Sequence, residues 1–62
     1  MMKEVIEELP NDLDIVIFVA NAFDGVELEG QYLSEDQIFV VTESGLRFRS
    51  ENVYEWELKE FE

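Results

Sequence analysis

The sequence contains no histidine and no cysteine, and each absence excludes chemistry. Without imidazole no side chain has an ordinary pKa near neutrality, and the commonest nitrogen ligand for zinc or copper is missing. Without thiols there is no thiolate nucleophile, no sulfur ligand and no disulfide framework, which fits a reducing compartment. The hydroxyls of Ser34, Ser44, Ser50 and Thr42 remain, but no residue type present activates a hydroxyl as imidazole does. Carboxylate pairs such as Glu27 with Glu29 or Glu55 with Glu57 are glycosidase residue types, yet a chain this short has little room for a pocket of about 300 Å³. Asp24, Gly25, Glu27 and Glu29 lack the ligand spacing of an EF-hand loop. The composition predicts a protein that is not an enzyme and carries no cofactor and no metal.

Basic residues are scarce as well. Four Lys and Arg stand against 16 Asp and Glu, for a net charge of −12. Between Glu4 and Leu46 there are eleven acidic residues and no Lys or Arg. Such a surface repels DNA, RNA and anionic lipid over about a Debye length, roughly 8 Å at physiological salt, and favours a basic protein partner. The longest apolar run, Ile15 to Ala20, is far too short to span a bilayer, and Lys3 is followed at once by Glu4, Glu7 and Glu8, unlike a secretory leader. The expectation is a soluble, cytoplasmic protein. One Pro and three Gly leave no linker or low-complexity tract, so residues 1–62 read as one domain.

What is present suffices for a core: 47% of residues are apolar, five of them Phe. A domain of this size buries only about 60% of its unfolded surface, so nearly all of these residues must share one cluster. Met2, Val5, Ile6 and Leu9 recur at helical spacing opposite Glu4, Glu7 and Glu8, which predicts a short helix over 1–10 that stops at Pro10. Five strands follow across 13–60. Ile15 to Ala20 is β-branched and apolar on both faces, as a central strand is. Val26, Leu28, Gly30 and Tyr32 alternate with Glu27, Glu29 and Gln31, with Gly30 marking a bend. Gln37 to Thr42, a hairpin at Glu43, Ser44 and Gly45, Leu46 to Arg49, and a last strand carrying Tyr54, Trp56 and Leu58 complete the series. The predicted class is mainly β (α+β), a helix with a five-stranded, strongly bent antiparallel sheet or small barrel.

The charge distribution is the functional signal, because ordinary solvated surfaces mix the signs. Residues i and i+2 of a strand project to one side about 6.6 to 6.8 Å apart, on the order of the separation of adjacent phosphates along a DNA strand. Glu27 with Glu29, Glu55 with Glu57, the helix residues Glu4, Glu7 and Glu8, and Asp24 are therefore candidate contacts for a basic cleft. Phe23, Leu33 and Phe61 are candidate apolar anchors beside them. Arg47 and Arg49 are placed to form a local ion-paired patch.

The segment from Lys3 to Gly25, with Asn11, Ile17, Val19, Ala22, Phe23 and Asp24, resembles the second helix and following strand of the phage uracil-DNA glycosylase inhibitor family. Gln37 to Gly45 is similar to that family's penultimate strand and turn. The family's edge strand bearing Glu-Ser-Ile has no counterpart here; Glu43 and Ser44 share letters with it, but Gly45 takes the apolar position. The resemblance implies an acidic DNA mimic that inhibits a DNA- or RNA-handling protein. A helix and five strands with Gly25 and Gly30 flanking a curved second strand also resemble the Sm-like and SH3-like small barrels. That likeness, with RNA binding opposed by the charge, implies a protein–protein adaptor or structural subunit.

Dense like charge destabilises the compact state, so screening stabilises it. Raising salt from about 10 mM to about 300 mM is expected to raise the melting temperature of the isolated domain, measured by circular dichroism; a flat response contradicts a crowded anionic surface.

Overall fold

The computed structural model describes residues 2–22 and 25–59. Its strands are β1 (Lys3–Glu4), β2 (Ile15–Ala20), β3 (Glu27–Leu33), β4 (Ile38–Val41), β5 (Arg47–Arg49) and β6 (Val53–Leu58), with a 3-10 turn at Ser50–Asn52. They form one antiparallel sheet in the order β1-β6-β2-β3-β4-β5. β1 and β5 end the sheet and do not pair with each other, so it is not a closed barrel. Six flat strands at about 4.8 Å would make a plate some 24 Å wide and far thinner. The molecule measures 28 × 26 × 24 Å, so the sheet is curled around its own core.

Alternation decides which side chains the curl encloses. Val16, Phe18 and Ala20 of β2 are buried on the inner face with Tyr32, Phe39, Val41, Val53 and Trp56, and Val5, Leu9, Leu28 and Phe48 pack against them. The aromatic rings form a chain: Phe18 lies 5.0 Å from Phe39 and 6.0 Å from Phe48, and Phe39 lies 4.9 Å from Tyr32. Gly30, opposite Val16, makes this possible. A Cβ there would collide with the Val40 carbonyl oxygen and stand 2.9 Å from Phe18 Cε1. The glycine lets the Phe18 ring and the β4 backbone close onto β3, the bend its place in the alternation predicts.

The predicted helix over 1–10 is not formed, and the described residues contain no α-helix. Lys3 and Glu4 pair with Trp56 and Glu55 as an edge strand, and the Val5 N–H extends the pairing to the Tyr54 carbonyl at 3.0 Å. A single turn follows, in which the Glu7 and Glu8 N–H groups both donate to the Glu4 carbonyl. Val5 and Leu9 pack on the core while Ile6 is 89% exposed, so the helical stripe is only half used. Two turns of helix are costly to nucleate, and three crowded glutamates add repulsion; pairing to the open edge of β6 satisfies the same backbone groups more cheaply.

Pro10 is buried, and residues 11–13 beyond it are exposed. The Trp56 Nε1–H donates to the Glu8 carbonyl at 2.7 Å, and the Lys3 ammonium sits 5.7 Å from the Trp56 ring. The Leu13 N–H donates to the Tyr32 carbonyl and the Tyr32 N–H to the Asp14 carbonyl, at 2.7 and 2.9 Å. These bonds hold Leu13 at φ 69°, a left-handed conformation unusual for leucine. Gln37 also takes positive φ, 54°, and so belongs to the β3–β4 turn rather than to β4. Gly45 at φ 77° closes the β4–β5 hairpin where the sequence places it.

Gly30→Ala is expected to cost about 2–3 kcal/mol, because it overpacks a site closed on one side by backbone. Urea denaturation followed by the fluorescence of Trp56 checks this; a loss under about 1 kcal/mol, or the gain of roughly 0.5–1 kcal/mol that replacing a strand glycine by alanine ordinarily gives, contradicts the close approach.

Candidate anionic interface

With Leu28, Gly30 and Tyr32 turned inward, β3 presents Glu27, Glu29, Gln31 and Leu33 on the outer face of the sheet. β6 presents Glu55 and Glu57 there by the same alternation. The register aligns them across β2: Val19 is opposite Glu27 on one side and Glu55 on the other, and Ile17 is opposite Glu29 and Glu57. Two glutamate columns thus flank an aliphatic strip made by Ile15, Ile17 and Val19, all half-buried. Strand geometry sets the columns about 10 Å apart, with about 7 Å between successive carboxylates in each. β1 adds Glu4, directly opposite Glu55, so one row runs Glu4, Glu55, Val19, Glu27.

One cation enters the array. The Lys59 N–H donates to the Ile15 carbonyl at 3.0 Å, extending β6 beyond Leu58, and the Lys59 ammonium reaches across β2 to pair with Glu29. Ile17, Glu57, Leu58 and Lys59 line a shallow cleft at this end. Glu27 is exposed, and Glu55 is half-buried beside Glu4.

Five of the predicted contacts, Glu4, Glu27, Glu29, Glu55 and Glu57, therefore share a face. Glu7 and Glu8 do not. They are exposed in the turn after β1, where the Glu8 carboxylate pairs with Lys3 at 3.0 Å. Leu33 lies on the outer face but opposite Ile38 at the far end of β3, away from the columns. Phe23, Asp24 and Phe61 lie outside the described residues.

Arg47 and Arg49 also point to the outer face, from edge strand β5, opposite Val40 and Ile38. The expected ion-paired patch is not formed: among the described residues neither arginine is within ion-pairing distance of a carboxylate. They border an open cleft with Asp36, Gln37, Ile38, Ser50 and Glu51, so two acidic residues line it beside the two arginines. The outer face thus carries glutamates on β1, β6 and β3, aliphatic residues on β2, and the two arginines on β5 beside Asp36 and Glu51. The sequence signals that reveal this are the alternation Arg47, Phe48, Arg49 and the double-faced apolar run of β2.

Burial, and secondarily the charge of Asp12, raise the Tyr32 phenol above the ordinary value of 10.0, so it is neutral near pH 7. Among the described residues no three acidic side chains converge as a metal site, and no helix is long and apolar enough to cross a membrane. No family model, curated protein or solved structure matches the chain.

Like charges directly opposite on neighbouring strands are destabilising. Glu55→Gln is accordingly expected to stabilise the isolated domain by about 0.5 kcal/mol, roughly 2–4 °C in melting temperature. Glu35→Gln, in the β3–β4 turn, is expected to shift it by less than half as much. Equal shifts in thermal melts contradict a local clash between Glu4 and Glu55.

Proposed function

We propose that this chain is an acidic DNA mimic: its outer sheet face occupies the basic nucleic-acid-binding surface of a DNA- or RNA-handling protein and blocks it competitively. The observation that carries this reading is the pair of glutamate columns on β3 and β6, held at fixed spacing by the register across β2. A groove lined with Lys, Arg and backbone N–H groups offers charge-assisted hydrogen bonds to such columns. A rigid sheet presents the carboxylates already ordered, which lowers the entropy lost on binding. The mode of action is the one implied by the likeness to the glycosylase inhibitor family, with the target enzyme left open.

The aliphatic strip of Ile15, Ile17 and Val19 between the columns favours a second reading, a protein–protein adaptor anchored by apolar contact. The two differ in their response to salt. Electrostatic recognition weakens steeply as salt rises, whereas apolar anchoring does not.

Immobilised protein is expected to capture a basic protein from a cell lysate and to release it to duplex DNA and to moderate salt. Glu27→Gln with Glu55→Gln is expected to weaken that binding by about tenfold or more, near 1.4 kcal/mol, while leaving the domain folded. Partners that withstand both DNA and salt contradict mimicry and favour the adaptor.

A further inference from the structure

The turn after β1 and the start of β6 leave large apolar side chains in water beside one another. Val5 and Leu9 pack on the core, but the single turn between them holds Ile6 89% exposed. On β6, Glu55 pairs with Val19 and Val53 with Ala20, so Tyr54 is the extra residue of a bulge. A bulge re-aims a side chain, and the Tyr54 ring stands 55% exposed. The Tyr54 carbonyl accepts from the Val5 N–H at 3.0 Å, which fixes the bulge beside the turn. Val5, Ile6, Leu9, Val53 and Tyr54 line one open groove of about 570 Å³. That volume falls among ligand clefts, roughly 300 to 1,000 Å³. Single exposed apolar residues are ordinary, but here two of them border a groove that is otherwise apolar as well. Among the described residues Glu4 and Glu51 are its only charged members.

We propose that this groove docks a partner segment in which one bulky apolar side chain is flanked by Lys or Arg. The apolar side chain packs against Ile6 and Tyr54, and its basic neighbours pair with Glu4 and Glu51. Apolar burial supplies the attraction, and the charges select the partner. No cation among the described residues lines the groove. Lys3, the neighbour of Glu4, is paired with Glu8 and lies over the Trp56 ring, and Arg49, the neighbour of Ser50, lines the other cleft with Asp36. With −12 on the chain, an acidic segment or an anionic lipid surface is repelled from this site. Glu4 also begins the row Glu4, Glu55, Val19, Glu27, so the groove adjoins the anionic face. The inference goes beyond the DNA-mimic reading and does not rest on it, since an apolar anchor is a feature that a phosphate backbone lacks.

The test follows backbone amide chemical shifts of the full chain by nuclear magnetic resonance during titration with the peptide acetyl-Lys-Phe-Lys-amide. Saturable shifts are expected, with a Kd of about 1 mM, largest at Ile6, Asn21, Glu51 and Tyr54. Acetyl-Lys-Gly-Lys-amide, which lacks the anchor, and acetyl-Glu-Phe-Glu-amide, which reverses the charge, are each expected to bind at least tenfold more weakly. Ile6→Ser is expected to weaken binding of the first peptide about fivefold or more, and Glu51→Lys about threefold or more. Because Ile6 and Glu51 are both exposed, the variant spectra are expected to keep the native dispersion; if that of Ile6→Ser does not, Glu51→Lys decides. Glu27→Gln with Glu55→Gln, which disarms the glutamate columns, is expected to change this binding less than twofold, so the groove and the DNA-mimic surface fail or stand separately. Shifts that do not saturate, a control peptide that binds as tightly as the first, or loss of binding in the column variant with none in Ile6→Ser and Glu51→Lys overturns the proposal. So do shifts at the groove residues that follow protein concentration without peptide, which would make a second copy the occupant.

Discussion

The packing of Phe18 over Gly30 is the contact on which the rest of the molecule depends. A single sheet buries one face well only if it curls, and it curls here because a position without a Cβ admits both an aromatic ring and the neighbouring strand's carbonyl oxygen. Once Phe18 is seated, Phe39, Phe48 and Tyr32 gather around it, and the alternation on β3 has only one sense. A slip of one residue would turn Glu27 and Glu29 into the core, at a cost no strand of this length can offset. The anionic face is therefore a consequence of how the core closes.

That face is held against electrostatic opposition. Glu4 and Glu55 are cross-strand neighbours, and across the aliphatic strip of β2 the remaining glutamates are relieved by Lys59 alone among the lysines and arginines. Surface stability alone would favour mixing Arg47 and Arg49 into the array. Their place at the far edge instead sets them in a cleft with Asp36 and Glu51, away from the glutamate columns.

Much of the fold is legible in the chain because strand periodicity, β-branching and turn residues agree with one another. β2, the alternation of β3, the hairpin at Gly45 and the strand around Trp56 all lie where pattern places them. The N-terminus misleads for a physical reason. Met2, Val5, Ile6 and Leu9 satisfy a helical template, but a template of two turns competes poorly with an unpaired edge, and β6 offers such an edge to Lys3 and Glu4. That β6 lies beside both β1 and β2, with β2 at the centre, is a long-range fact that no local pattern carries. For the same reason the sequence marks Glu27, Glu29, Glu55 and Glu57 as pairs within strands but does not reveal that β2 aligns the two pairs. Nor does it reveal that Glu4 joins them while Glu7 and Glu8 do not.

The measurement closest to the central claim is the pattern of cross-strand nuclear Overhauser effects in the isolated protein. The account predicts contacts from Val19 to both Glu27 and Glu55, from Ile17 to both Glu29 and Glu57, and from Glu4 to Glu55. Helical contacts through residues 2–9 without any from Glu4 to Glu55, or a β3 register shifted so that Val19 faces Leu28, would contradict it.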